Sequence, residues 1–438
     1  MRQRALTDGH ALRDERLGAA IYVVAILGLL YLVVILVQLP GASRRGDFSI
    51  YYACAAAMSR GLDPYAINLT DFTRELGLEP DPFAHPADSP TFTLVTEPLA
   101  LVSPAIGYAI WFLASVLCLA ASLYLLFGPS SQLSRKTAIL FSLAALGFTP
   151  LADNLRWAQS QIFTMFGMLL FFRLMQRGRD RAAGALLAAL GLLRGFPLVL
   201  GGYLIARRRW RAIVVLAIAF AAGVAATVAM VGIVPAENFL RVVGIIGEHK
   251  WFSLDPRWEI AAANVSLDAF VARPLMLFVG TDLPRDLLVL HRAIVLSFQT
   301  VILASAFRAT ADAKGDPHGR SVSLWVATML ILTPVVWLHY MVLLIIAFGM
   351  IAVAAAHRDV SARVWRFAML SYCLIVLATP LMSTLTFRTD IFDWRAGAFA
   401  ELGFLALLSA WGAAWRFATE TFSEASDTEG RPQAPPRS

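Results

Sequence analysis

Long apolar runs separated by short polar ones make up most of the chain. Residues 17–39 carry no charge. At about 1.5 Å of rise per residue, a helix of that length crosses the roughly 30 Å hydrocarbon layer of a bilayer. It is too long for the apolar part of a signal peptide, so a retained first helix is expected. Comparable runs occupy 99–127, 137–151, 158–175, 212–234, 287–307, 321–333, 335–356, 367–386 and 396–415. The pattern predicts an all-α polytopic membrane protein, a single integral domain over 1–416. The Glu-, Ser-, Pro- and Arg-containing stretch 417–438 reads as a disordered cytoplasmic tail.

The polar intervals give an orientation. The segments before residue 17 and at 128–136, 173–181, 207–211, 308–320, 357–367 and the C-terminal tail hold most of the 37 Lys and Arg residues. Basic loops stay in the cytoplasm, which places both termini inside and the long, base-poor loops 40–92 and 235–286 outside. Loop 40–92 is too long to be a simple connection, and its aromatic and Ala-rich make-up predicts ordered helices lying at the membrane interface.

Residues 182–206 break the alternation. Basic clusters flank the run on both sides, with Arg173, Arg177, Arg179 and Arg181 before it and Arg207, Arg208, Arg209 and Arg211 after it. One crossing would send a cluster outside, whereas two half-length helices turning at Arg194-Gly195-Phe196-Pro197 keep both inside. Each half reaches only about 18 Å, so Arg194 sits at or beyond mid-membrane depth. Counting this pair gives about twelve membrane segments.

Composition agrees and narrows the classes. Of 438 residues, 58% are hydrophobic and 15% charged, against about 25% charged in ordinary soluble domains, which excludes a soluble or disordered chain. Cys54, Cys118 and Cys373 offer no disulfide framework and no metal-ligand spacing. The net charge of +7 sits in short clusters between apolar spans that make no aromatic-interleaved binding surface, so no nucleic-acid partner is expected. The chain has no Walker A loop, no Gly-rich nucleotide fingerprint, no His-Glu-x-x-His, no Gly-x-Ser-x-Gly and no Asp-x-Asp. Neither a cofactor nor a metal is implied.

Three polar constellations remain. Asp47, in Gly46-Asp47-Phe48-Ser49-Ile50-Tyr51, stands at the outer end of the first span; it reads either as a helix cap or as a carboxylate at the membrane boundary able to act as a general base. Arg194 is either snorkelling to outer water or binding an anion, for which phosphate is the natural partner. Thr333-Pro334-Val335-Val336-Trp337-Leu338-His339-Tyr340 lies at an outer junction, where aromatic anchors are ordinary and His339 is either structural or a polar contact. Gln159, Gln161, Asn264, Trp251 and Trp258 also face outward. Asp63, in Gly61-Leu62-Asp63-Pro64-Tyr65, and the Asp88-Ser89-Pro90 stretch read as turns.

With these motifs in hand, the chain resembles glycosyltransferase family 87, membrane enzymes of the GT-C fold that include polyprenyl-phosphate-mannose-dependent mannosyltransferases. The resemblance rests on Gly46-Asp47-Phe48 with Tyr51, Gly61 to Tyr65, Pro90, Glu97-Pro98-Leu99, Ala183 to Leu187 leading to Arg194 and Pro197, Arg208-Arg209-Trp210-Arg211, Asn264 to Leu267, and Pro334 through Trp337, His339 and Tyr340. Asp88-Ser89-Pro90 stands where the family often has Tyr-Pro-Pro, Ala158-Gln159-Ser160-Gln161 where it has Gly-Gln, and Arg194 where it has Lys. The resemblance implies a GT-C-like bundle and transfer of a hexose, with mannose the expected case, from a polyprenyl-phosphate sugar to a glycan or glycolipid acceptor. The site would face the outside or periplasm of the cytoplasmic membrane. Asp47 would be the general base of an inverting transfer, and Arg194 and His339 would contact donor phosphate or sugar. Tyr51, Asp63, Tyr65, Gln159, Asn264 and Trp337 would be further sugar or acceptor contacts. The rival class is a polytopic transporter or lipid flippase, which also uses broken helices and buried charge but accounts less well for the long outer loop led by Asp47.

Overall fold

A computed structural model describes residues 22–38, 46–79, 86, 88–247, 263–279, 284–312, 316–388 and 394–420. Arg44, Arg45, Trp251, Trp258 and the tail beyond 420 lie outside the described residues. Among those described there is no strand, only an isolated antiparallel bridge between Asn264 and Trp337. The helices are α1 (Tyr22–Gln38), α2 (Asp47–Ser59), α3 (Leu69–Glu75), α4 (Pro90–Thr96), α5 (Pro104–Phe127) and α6 (Arg135–Leu146). Next come α7 (Thr149–Arg156), α8 (Gln161–Gln176), α9 (Asp180–Arg194), α10 (Leu200–Ala206), α11 (Trp210–Val231) and α12 (Ile233–Gly247). The chain continues as α13 (Leu267–Val279), α14 (Arg285–Asp312), α15 (Arg320–Leu332), α16 (Leu344–Ala356), α17 (Ala362–Arg388) and α18 (Trp394–Thr419).

Among the described residues, five helices are long and apolar enough to cross a membrane, and a bent pair, α6 with α7 at 53°, makes six. Several of the remaining runs predicted as spans form apolar helices of 10–17 residues, Tyr22–Gln38, Gln161–Gln176, Phe196–Ala206 and Arg320–Leu332. The bend in the run predicted at 137–151 falls where Gly147 ends α6 and Pro150 enters the first turn of α7, a position proline tolerates because its missing N–H would be unpaired there anyway. The two extremes of burial define the layers. The apolar window of Leu338–Ala356 is 89% buried and forms the centre, whereas that of α11 is 6% buried and presents its side chains to lipid.

The 182–206 run folds as predicted for a break. Helix α9 stops at Arg194, Gly195 takes φ +63, and a 3-10 turn over Phe196–Val199 leads into α10. A left-handed φ is open to glycine at little cost. A Cβ on Gly184 would run into the Ala212 carbonyl and one on Gly223 into the Leu192 side chain, so α9 and α11 pack closely and run parallel. Their basic ends therefore coincide, and Arg209 pairs with Asp180 at 3.6 Å. At the same end Arg207 donates to the Thr310 carbonyl at 3.5 Å, and Arg320 donates to the Asp359 and Glu420 carbonyls at 2.6 and 2.7 Å. One end of the bundle thus gathers the basic clusters, and Arg194 at the hairpin tip is carried away from it.

The first helix of the 40–92 loop is largely buried against its neighbours. In α2, Phe48, Ser49, Tyr51, Tyr52 and the alanines 53 and 55–57 are buried. The helix packs against α3, α4 and α5 through an aromatic cluster in which Tyr51 meets Phe92 at 4.9 Å and Trp111 at 5.5 Å between ring centroids. Edge-to-face and tilted contacts of this kind add to simple apolar burial. Cys54 is buried within it, and among the described residues all three cysteines are free.

Candidate functional site

Five of the residues singled out from the sequence meet at the end of the bundle opposite the basic clusters. Asp47 is the first residue of α2, and the capping position is Gly46, at φ +69. A Cβ on Gly46 would lie 3.2 Å from the Trp157 ring, so the tight turn needs glycine twice over. The Asp47 N–H donates to the Trp157 carbonyl at 3.2 Å, which moors the start of α2 to the end of α7. The Asp47 carboxylate also lies in the favourable field of a helix N-terminus.

Tyr51 follows one turn later on the same face, about 6 Å along the axis. Its hydroxyl accepts from Arg194 Nη2 at 2.7 Å and donates to Gln159 Oε1 at 2.9 Å. Burial pushes the Tyr51 hydroxyl well up from its ordinary range, so it stays protonated and can serve both partners. Arg194 also donates from Nε to Ser160 Oγ at 2.6 Å and from Nη1 to the Asp88 carboxylate. The guanidinium lies over the rings of Phe92 and Tyr51, 4.9 and 5.5 Å from their centroids, a placement that favours a cation. Asp88 and Arg194 side chains are only 12% and 11% exposed. Burial pushes the Asp88 carboxyl up while the Arg194 charge pulls it back down.

The main chain on both sides of Asp88 is fixed to the same place. Its carbonyl accepts from the Tyr65 hydroxyl at 2.7 Å, and the Ser89 hydroxyl donates to the Leu192 carbonyl at 2.5 Å. Ser89 also caps α4 by accepting from the Phe92 N–H at 3.1 Å, the ordinary work of a serine before Pro at the first helical position.

The far wall is the turn before α16. His339 and Tyr340 are close enough to Arg194 to feel its charge, and Tyr340 also feels that of Asp47. Tyr340 packs on Phe196 of the hairpin tip at 5.7 Å. His339 is buried, and its Nε2 has no hydrogen-bond partner among the described residues. A buried polar atom left unpaired costs free energy, and the His339 ring lies 5.1 Å from that of Tyr340 and within reach of the Arg194 charge. Asn154 Oδ1 is also unpaired, beside Gln161, to which Asn154 Nδ2 donates at 3.2 Å.

The remaining residues singled out from the sequence have partners within the scaffold. Asp63 accepts from the Tyr65 N–H at 2.9 Å and from Asn238 at 2.7 Å. Tyr65 spends its hydroxyl on Asp88. Asn264 Oδ1 accepts from the Ser266 and Val336 N–H groups at 3.1 and 3.4 Å, and its backbone bridges to Trp337. With Val265 donating to Val336 at 2.6 Å and Leu338 donating to Ala263 at 2.8 Å, this clasp sets the start of the His339 turn. Asp88, Ser160 and Tyr340 were not singled out as site residues from the sequence. Asp-Ser-Pro reads as a turn, and only the fold shows that its carboxylate meets an arginine 106 positions away.

What this arrangement can do is hold an anion beside a carboxylate: a buried guanidinium, an unpaired imidazole nitrogen, two tyrosines and Asp47 surround one locus. Among the described residues no group of three or more His, Cys, Asp and Glu side chains is placed to hold a metal ion. The sequence model of glycosyltransferase family 87 matches residues 88–334, more than half of the chain. That stretch includes Asp88, Gln159, Arg194 and Asn264, while Asp47, Tyr51, Asp63, Tyr65, Trp337 and His339 lie outside it. No curated protein matches the chain.

Proposed function

We propose that this chain, which belongs to glycosyltransferase family 87 and is a membrane glycosyltransferase, moves a hexose, mannose in the first instance, from a polyprenyl-phosphate sugar to a glycan or glycolipid acceptor. The transfer takes place at the outer face of the cytoplasmic membrane, with both termini inside. The single observation that supports this most is that Arg194, delivered by a broken hairpin from the basic end of the bundle, meets Tyr51 one helical turn from Asp47.

The chemistry follows from those positions. The acceptor hydroxyl attacks the anomeric carbon, the bond from that carbon to the phosphate oxygen breaks, and the configuration inverts. Asp47 takes the hydroxyl proton. The lipid phosphate leaves as an anion and needs no acid to protonate it, so one carboxylate suffices where an inverting glycosidase uses two. The charge that develops on the phosphate is met by Arg194, fixed in advance by Tyr51 and Ser160, in a site with little water. His339 Nε2 is left to contact the sugar or the phosphate. The buried aromatic cluster of Phe92, Trp111 and Tyr51 holds α2, α4 and α5 together behind Arg194, and grooves between the apolar helices take the prenyl chain.

The test is sugar transfer by purified protein in lipid, with labelled polyprenyl-phosphate mannose and candidate acceptors, comparing wild type with Asp47→Asn. A general base contributes about 10²–10⁴-fold, and a loss of that size with normal folding is expected. Full activity in Asp47→Asn removes the base assignment. Transfer from no prenyl-phosphate sugar at all removes the donor.

A further inference from the structure

The Arg194 that the proposed reaction assigns to the donor phosphate is already neutralised. Asp88 accepts from Nη1, Tyr51 from Nη2 and Ser160 from Nε, so every nitrogen of the guanidinium already has an acceptor and only two of its five N–H groups are left for a phosphate. Three acceptors therefore surround it, and only Asp88 among them carries charge.

Electrostatics decide which of them gives way. A prenyl-phosphate sugar carries one negative charge on its phosphodiester. If it entered with Asp88 still in place, two anions would share one buried cation with Asp47 close by, and like charges at short range in a dry site repel strongly. If the phosphate takes Asp88's place, the charge at Arg194 is unchanged and the guanidinium is never left bare, a state that burial makes costly. Tyr51 and Ser160 are neutral and gain nothing by leaving.

The local structure suits an exchange of this kind. The Asp88 carbonyl is held by Tyr65, and the next residue, Ser89, is held to Leu192. The backbone thus stays put and the carboxylate can leave by rotation about its own side-chain bonds.

We propose that Asp88 is a resident counter-ion that competes with the donor phosphate for Arg194, keeping the phosphate subsite closed when no donor is bound and returning to release the lipid phosphate after transfer. The inference rests on the donor class given above. It makes Asp88 a determinant of donor affinity and product release, with no bond of its own to make or break in the transfer.

The experiment measures binding of a short-chain polyprenyl monophosphate to the full chain in nanodiscs, for wild type, Asp88→Asn, Arg194→Gln and the double variant, alongside sugar transfer. Asp88→Asn keeps the shape and removes the charge; it is expected to bind the probe at least tenfold more tightly and to show stronger product inhibition. Arg194→Gln is expected to bind weakly, and adding Asp88→Asn to it should give no gain, because the competition acts through Arg194. A folded Asp88→Asn that binds equally or more weakly overturns the proposal and makes Asp88 a support for Arg194. Where Asp88→Asn fails to fold, Asp88→Ser takes its place. Infrared difference spectra of wild type check the exchange directly: probe binding should remove an ion-paired carboxylate band that Asp88 variants lack, and an unchanged band overturns it. If wild type transfers sugar from another donor class and never binds the probe, the donor reading fails and this inference with it. If wild type binds and transfers but Asp88→Asn gains nothing, only the counter-ion role fails.

Discussion

The hydroxyl of Tyr51 accepts a hydrogen bond from Arg194 at 2.7 Å. Because the same oxygen donates onward to Gln159 at 2.9 Å, it ties the hairpin tip to the start of α8 through α2. Tyr51→Phe removes both bonds and leaves two buried polar groups short of a partner, which costs about 1–3 kcal/mol. The expected result is a lower melting temperature and a donor KM raised several-fold, with the turnover number less affected. A variant with unchanged KM would show that Tyr51 only packs.

Breaking the Arg194–Asp88 pair from one side should cost more than removing it whole. With both side chains nearly buried, Arg194→Gln leaves an uncompensated carboxylate and is expected to lower stability by about 3–5 kcal/mol. The double variant Arg194→Gln with Asp88→Asn should recover much of that loss. Denaturation of wild type, Arg194→Gln, Asp88→Asn and the double variant in one detergent checks this, and additive losses would count against a coupled pair.

Asp316, in the loop between α14 and α15, gives a pH signature. Its carboxylate accepts from the Ser321 N–H at 2.8 Å and from the Tyr203 hydroxyl at 3.5 Å, yet burial raises its pKa from 3.8 to about 6. The folded state therefore holds the proton longer than the unfolded chain, and the contribution of Asp316 to stability falls as pH rises from about 4 to about 6 and is flat above. The size is about 1–3 kcal/mol. Melting of wild type minus that of Asp316→Asn across pH 4–7.5 isolates the effect, and a difference that rises with pH would contradict it.

Orientation is open to chemical labelling. Glu75 is 65% exposed on α3 of the long loop, and Arg363 is exposed at the basic end. In intact cells Glu75→Cys should react with a membrane-impermeant thiol reagent and Arg363→Cys should not. The reverse pattern would invert the assignment of the site to the outer face.

Much of this was legible in the chain because charge is scarce in it. The paired basic clusters around 182–206 implied a hairpin with Arg194 at its tip, and the ion pair between Asp180 and Arg209 brings those clusters together. Asp47 stood out as a carboxylate at a span boundary, and it begins α2. The site partners escaped for a different reason. A turn motif such as Asp88-Ser89-Pro90 satisfies local rules completely, so nothing in it signals that the carboxylate reaches α9. Asp63, Tyr65, Asn264 and Trp337 stood out as polar and aromatic groups suited to sugar contact, and the fold adds their partners in a turn, at Asp88 and in a backbone clasp. The bend between α6 and α7 was written in Gly147 and Pro150, but an unbroken apolar run concealed it.

Only 6% of the apolar window of helix α11 is buried, yet the helix is seamed to α9 along Gly184 and Gly223. Its 22 residues extend about 33 Å, so its tilt answers to the bilayer by hydrophobic mismatch. A bilayer whose thickness tilts α11 would load, through this seam, the helix that ends at Arg194.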